Sequence, residues 1–183
     1  MEIDILDLNE AENHIFNILN QGDSRYNESK AEQVLADFMI SKAILLEKRN
    51  IPEFEKPSEA DFKEIKGVQK YEKYYIKKLL KEKGFKDKEI LFESNFLNYH
   101  PDVLAESLNR IVVGECCSCK VSKIKDFLEA GAEEVWIIIR GEINWLFIFK
   151  KGQNWNQKLK EFEKIKTEEM KKISSPLDNL MKK

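Results

Sequence analysis

A chain of 183 residues is long enough to bury one sizeable core, and 35% of it is charged. With 31 Lys and Arg against 33 Asp and Glu the net charge is −2, which excludes a globally basic nucleic-acid binder and leaves anion recognition to local patches. No run of 18 apolar residues exists, and the start, MEIDILDLNEAE, is acidic where signal and transit peptides are basic, so a cytoplasmic protein with no membrane partner is expected.

Residues 10–20 (EAENHIFNILN) carry the apolar spacing of a short amphipathic helix. Residues 29–48 carry that of a longer one, with Ala31, Val34, Leu35, Phe38 and Met39 on one face. The stretch from Ile51-Pro52 to Pro57 interrupts the pattern. Ser58 opens the next helix with Asp61 three residues on as its capping partner, Gly67 is a point of division within it, and Gly84 supplies its end. Strand patterns then occupy 89–93, 101–106 and 110–116, and a helix over 120–130 closes at Gly131. Strands at 134–139 and 143–149 flank the turn Arg140-Gly141-Glu142, and a final helix covers about 154–173.

The segment Val135–Ile139 is apolar on both faces, as a central strand covered by helices is. The order from residue 58 therefore predicts a mixed α/β sandwich over 58–183, with residues 1–57 as an N-terminal helical extension. Charge is uneven along the chain. From Lys150 onward ten lysines face five acidic residues, whereas the first twenty residues hold no Lys or Arg. A basic tail of this kind suits a phosphate-bearing partner, although a solvated helix face has the same composition. High Lys, Glu and Ile usage matches a thermophilic source.

The most informative segment is HPDVLAESLNRIVVGECCSCKVSK, from His100 to Lys123. If Ser107 pairs with Arg110 across a Leu108-Asn109 turn, Asp102 falls opposite Glu115. Directly opposed Cβ atoms lie roughly 4.5–5.5 Å apart, and like charges there repel. A bound cation, a raised pKa on one carboxylate or solvent exposure would relieve that repulsion. A shared Mg²⁺ fits, because that ion is commonly held by one or two carboxylates plus waters and substrate phosphates. Leu108 is a poor residue for the primed turns of two-residue hairpins, so a register slip or a longer loop is the alternative.

Glu72 falls inside the apolar stripe Val68, Tyr75, Ile76, Leu79 and Leu80, which points it toward the sheet. A buried carboxylate needs a partner, supplied by a metal-centred network or by Lys73, Lys77 or a loop amide. Asp102, following Pro101 at a strand entrance, is read either as a ligand or as a turn residue bonding its own backbone. Glu115 ends an apolar strand, and Gly114 beside it signals the close approach of a ligand or of backbone. Alternation puts Cys117 on the face of Glu115 and Cys116 on the other.

A helix carrying Glu72, then Pro101-Asp102, then an apolar strand ending in Glu115, then a helix returning onto the sheet resembles the PD-(D/E)XK nuclease superfamily over roughly residues 60–150. The resemblance implies a restriction-endonuclease-like mixed sheet flanked by helices. It implies Mg²⁺, or Mn²⁺, held by Asp102 and Glu115 with the Cys116 carbonyl as a further ligand, and Glu72 as the assisting helix carboxylate. The activity implied is metal-dependent hydrolysis of phosphodiester bonds, of DNA in the first instance, and a homodimer is compatible with it. The motif lysine should stand two residues after Glu115, where this chain has Cys117. Some members appoint a lysine from the following helix, and Lys120, Lys123 and Lys125 are available here, Lys123 standing closest to that position. Lysines in a first helical turn oppose the helix dipole, so Lys120 and Lys123 break a local rule that a catalytic role would explain. Lys150, Lys151, Lys158 and Lys164 would contact the nucleic-acid backbone.

Three other readings compete. A catalytically inactive member of the same fold, binding nucleic acid or a protein partner, is favoured by Cys117 and by the near-neutral charge. A thiol or metal–sulfur site from Cys116, Cys117 and Cys119 with His100 lacks a CxxC pair, and three bunched cysteines also argue against a secreted disulfide framework. The third assigns the role to the N-terminal 50 residues as a helical interaction module, in which Glu32 of SKAEQVLADF mimics the helix motif.

Overall fold

The computed structural model describes residues 4–5, 44–116, 119, 121–161, 163–165 and 167–168. The helix expected at 10–20, the part of the next one up to residue 43, Cys117 and Lys120 lie outside the described residues.

Among the described residues seven strands form one sheet: β1 (Asp4–Ile5), β2 (Ile44–Ile51), β3 (Ile90–Phe92), β4 (Val103–Ser107), β5 (Arg110–Cys116), β6 (Glu134–Ile139) and β7 (Asn144–Lys151). Their spatial order is β1-β2-β7-β6-β5-β4-β3, antiparallel throughout except where β5 and β6 run parallel. The parallel pair needs a crossover, which α3 (Val121–Glu129) supplies. Two further helices, α1 (Glu59–Glu64) and α2 (Lys70–Glu82), precede β3.

Both faces of the sheet are covered, and each has its own core. On one side Ile124, Phe127 and Leu128 of α3 cluster with Leu104, Val113, Val135, Ile137, Phe147 and Phe149. On the other, Ile76, Leu79 and Leu80 of α2 meet Val103, Ala105, Val112, Trp136, Ile138 and Ile148. Alternate residues of each central strand serve opposite cores, which is why β6 is apolar throughout. The mixed α/β sandwich expected from residue 58 is therefore present, with the strands at 110–116 and 134–139 at their expected bounds.

Three expectations are corrected. Residues 44–48 are strand, not the end of a helix, and β2 pairs with β7 along eight residues inside the main sheet. ILLEKRNI suits either structure by local pattern, and the partner strand decides it. The segment 1–57 is thus not helical throughout. Second, the helix from Ser58 is two helices. Ser58 caps α1 by accepting the amide of Asp61 at 3.2 Å, but Gly67 (φ 73) and Gln69 (φ 52) turn the chain before α2 begins. That break also leaves Val68 outside the apolar stripe and 69% exposed. Third, the neighbour for which Gly114 makes room is Ile76 of α2, whose Cδ1 would lie 3.0 Å from an added Cβ.

Candidate functional site

β5 and β6 end at the same edge of the sheet where β4 begins and β3 finishes, because β4 runs antiparallel to both β5 and β3. Strand polarity alone therefore collects residues 93, 102, 115 and 140 at one edge. The register there is the one the hairpin arithmetic gives: Ser107 pairs with Arg110 and Val103 with Gly114, so the next step brings Asp102 against Glu115. The turn residues Leu108 and Asn109 are not among those with positive φ, so this is not a primed turn. The two-faced apolar pattern of β4 and β5 fixes the register instead, since a one-residue slip would exchange their cores.

Asp102 is held at both carboxylate oxygens. Oδ2 accepts the amide of Cys116 at 2.7 Å, and Oδ1 lies 3.2 Å from Lys73 Nζ. The backbone group of Cys116 engaged here is thus its amide, and its side chain lies in the core beneath α2. Glu115, on the opposite face of β5, points toward α3. Its Oε1 is 2.5 Å from Lys123 Nζ, a buried ion pair with a partly exposed lysine. Burial pushes the Glu115 carboxyl up to about 7; Lys123 pulls it down, and the neighbouring Asp102 and Glu93 charges push it further up. Lys123 is flanked by the rings of Tyr99 and Phe127, whose centroids are 5.6 and 5.7 Å away, and Tyr99 is fixed by donating to Asp126 Oδ2 at 2.6 Å.

Glu72 is buried, as its stripe position implies, at 1% exposure. Its partner is neither Lys73 nor Lys77 but Arg140, at the end of β6, whose Nη1 donates to Glu72 Oε1 at 3.1 Å. Lys77 is engaged elsewhere, with Asp61 at 2.9 Å and Glu64 at 2.7 Å.

Two members of this cluster were not anticipated from sequence. Lys73 is fully buried and its ammonium contacts Glu93 Oε1, Asp102 Oδ1 and the carbonyl of Lys66, the last at 3.1 Å. Burial works against its charge, but Glu93 and Asp102 outweigh that and hold its pKa above the ordinary lysine value. Glu93 follows β3 in the left-handed region (φ 49), with its amide donating to the carbonyl of Asp102 at 3.2 Å. A non-glycine residue in that region is uncommon and marks local constraint. The sequence signals were weak: Lys73 adjoins Glu72, and Glu93 closes the strand pattern EILFE. An open groove of about 370 Å³ runs along the outer edge of β3 and reaches Glu93, with Glu64, Lys66, Ser94 and Asn95 in its walls.

The site thus gathers Glu93, Asp102 and Glu115 within electrostatic reach of one another, interleaved with Lys73 and Lys123. Among the described residues no three His, Cys, Asp or Glu side chains come together as a metal-ligand set. The basic residues considered for nucleic-acid contact divide: Lys150 is bound into the sheet by Glu47 at 2.9 Å and Glu134 at 3.1 Å, and Lys158 pairs with Glu161, while Lys151 and Lys164 are exposed. No helix among the described residues is long and apolar enough to cross a membrane.

The fold and site define an α/β protein with a mixed seven-stranded sheet and an acidic, lysine-laced strand edge. No family model matches the chain, and neither the curated proteins nor the solved structures contain a match to it.

Proposed function

We propose that this chain is a metal-dependent nuclease of the PD-(D/E)XK type, hydrolysing phosphodiester bonds of DNA with a water activated at Mg²⁺ or Mn²⁺. The observation that carries the proposal is the convergence of Asp102 and Glu115 at adjacent strand ends with Lys123, from the following helix, against Glu115. In support of it, the strand edge brings Asp102 beside Glu115 and Lys123 lies against Glu115, and this lysine is proposed to take the part for which the chain has Cys117 in place of the motif lysine. The order α2, β3, β4, β5, α3, β6 and the parallel β5–β6 pair agree with a restriction-endonuclease-like core.

Toward a hard divalent ion the edge offers Asp102 and Glu115, each in contact with a lysine that the ion would have to displace, and two carboxylates suffice when waters and substrate phosphates complete the shell. Asp102 and Glu115 would hold the ion, with the Cys116 carbonyl as a further ligand, and Glu72 would assist from α2. An ion held there would lower the pKa of a water and steady the leaving oxygen. Lys123 would offset the charge that develops on the phosphoryl oxygens as the water–phosphorus bond forms and the bond to the leaving oxygen breaks. Lys151 and Lys164 are exposed for backbone contacts, which position a substrate without selecting its sequence.

A second reading, an inactive nuclease fold that binds nucleic acid or a protein, is favoured by the engagement of both carboxylates with lysines and by the lack of a three-ligand set among the described residues. One experiment separates them: incubation with supercoiled, linear and single-stranded DNA in Mg²⁺, Mn²⁺ or EDTA, using the native chain and Asp102→Ala. Metal-dependent cleavage that disappears in the variant supports the nuclease; no cleavage under any condition favours the inactive protein.

A further inference from the structure

The sheet ends at β3, and the outer side of that strand has no partner strand among the described residues. Glu93 donates its amide to the Asp102 carbonyl, which sets the alternation along the β3–β4 pair. By that alternation Leu91 exchanges hydrogen bonds with Leu104, and the backbone groups of Ile90 and Phe92 point outward. The Ile90 amide is used by the Asp87 carbonyl, in the turn Asp87–Glu89 that enters the strand. The Phe92 amide and the carbonyls of Ile90 and Phe92 therefore face the open groove along this edge. Leu91, whose side chain alternates to the other face, is 43% exposed.

Open edges are commonly blunted by a charge or a proline on the strand itself. β3 reads Ile-Leu-Phe and has neither. The opposite wall of the groove is fixed from beneath: Lys73 donates to the Lys66 carbonyl at 3.1 Å, and Lys77 holds Glu64 at 2.7 Å. A preformed groove lowers the ordering cost of binding. The acids along the edge are already neutralised, Glu93 by Lys73, Glu64 by Lys77 and Asp87 by Lys81. Lys66 in the groove wall and Lys88 just before β3 are exposed and form no ion pair among the described residues. The unpaired charge beside the open strand is thus positive.

We infer that the outer edge of β3 is a docking site for an extended, acidic peptide segment of a partner protein, which adds as a further strand and sets its carboxylates against Lys66 and Lys88. Main-chain bonds to the Phe92 amide and to the Ile90 and Phe92 carbonyls supply affinity, and the lysines select the sign of the ligand's charge. A three-residue strand spans about 10 Å, so the contact is small and transient. A single-stranded nucleic acid offers the charge but not donors and acceptors alternating at strand spacing, which favours the peptide. Docking here is independent of the proposed cleavage and needs no metal.

The test selects short random peptides, displayed on phage, against the full-length chain, and measures the enriched sequences as synthetic peptides by fluorescence polarisation and amide exchange. Acidic sequences with alternating apolar residues are expected. Their affinity should fall roughly ten-fold in Lys66→Glu combined with Lys88→Glu, and should fall again when alternate peptide amides are N-methylated. Both lysines are exposed and unpaired, so the variant keeps the fold. The Phe92 amide should gain protection in the complex, while that of Leu91 is protected with or without peptide. No enrichment over an unrelated protein, peptides indifferent to the charge reversal, or a Phe92 amide left unprotected would each overturn the inference. Oligothymidylate bound through the same two lysines in place of peptide would make the ligand a nucleic acid, and self-association abolished by Leu91→Lys would make it a second copy; either result overturns the assignment.

Discussion

Lys123 Nζ lies 2.5 Å from Glu115 Oε1, joining the first turns of α3 to the end of β5. The lysine lowers the carboxyl's pKa, yet burial prevails and leaves it at about 7. An acid raised above its ordinary value of 4.5 takes up a proton on folding between the two values. The folded state then binds more protons than the unfolded one, so stability falls as pH rises from 4.5 to about 7 and stays lower above it. The full interval corresponds to about 3 kcal/mol as an upper order of magnitude. Urea denaturation in EDTA at pH 5 and pH 8 should show that fall in the native chain, a flat response in Glu115→Gln and a steeper fall in Lys123→Met. A Glu115→Gln chain with the full native slope would show that another group titrates.

The hairpin and its consequences were legible because they depend on short-range rules. Ser58, Gly84 and Gly131 end or begin helices where capping chemistry puts them, and the pairing of Ser107 with Arg110 follows from two apolar patterns that admit one register. What was hidden depends on chain-distant partners. β2 is a strand because Asn144–Lys151 lies beside it, about which ILLEKRNI is silent. Glu72 could be read as buried, but its partner Arg140 stands 68 positions away. The sequence offers Lys73 only as a candidate partner of Glu72, since helical periodicity gives the face a residue occupies and not the carboxylates that another strand's end brings over it.

Gly67→Ala and Gly84→Ala form a controlled pair. Both glycines have φ in the left-handed region, 73 and 94, but an added Cβ meets nothing within 4 Å at Gly84, whereas at Gly67 it intrudes on Glu93 and Lys73. Gly84→Ala should therefore cost only the backbone term, about 1 kcal/mol, and Gly67→Ala about 2–3 kcal/mol. The excess should shrink when Glu93 is also truncated to Ala, because the obstructing carboxylate is gone. Equal losses at the two positions would mean that the loop moves away from Lys73 at little cost.

Arg140 covers Glu72 from the solvent side. The guanidinium side chain is 64% exposed and the carboxylate side chain 2%, so the pair is unequal. Truncating Arg140 strips a buried charge of this partner, while losing Glu72 leaves an arginine that water can solvate. Arg140→Ala should destabilise the chain by about 1–2 kcal/mol, discounted from a fully buried pair for the exposure of the arginine. Arg140→Ala combined with Glu72→Gln should recover most of that loss. A double-mutant cycle in urea measures the coupling, and independent, additive losses would contradict it.

At the opposite end of β6 the charges are arranged for stability. Glu134 is 2% exposed and sits between Lys83, at 2.8 and 2.9 Å, and Lys150, at 3.1 Å, while Trp136 Nε1 donates to it at 2.6 Å. Burial is the largest influence and would raise its pKa, but Lys83, Trp136 and Lys150 together hold it below the ordinary 4.5. Lys150 also bonds Glu47, whose pKa is lowered despite burial by Lys150 and Arg49. A depressed acid contributes stability that is complete above its unfolded value and is lost as pH falls through the folded one. Acid unfolding should therefore set in below pH 4.5, where the sign is opposite to that of Glu115, and the stability maximum should fall close to pH 5. Glu134→Ala leaves Lys83 and Lys150 without their buried anion and should cost about 3–5 kcal/mol in urea at pH 7. Glu134→Leu with Lys83→Met should be markedly less damaging, since an apolar pair needs no counter-charge. Intrinsic tryptophan fluorescence follows both unfolding curves, and a Glu134→Ala chain with native stability would show that the network carries no weight.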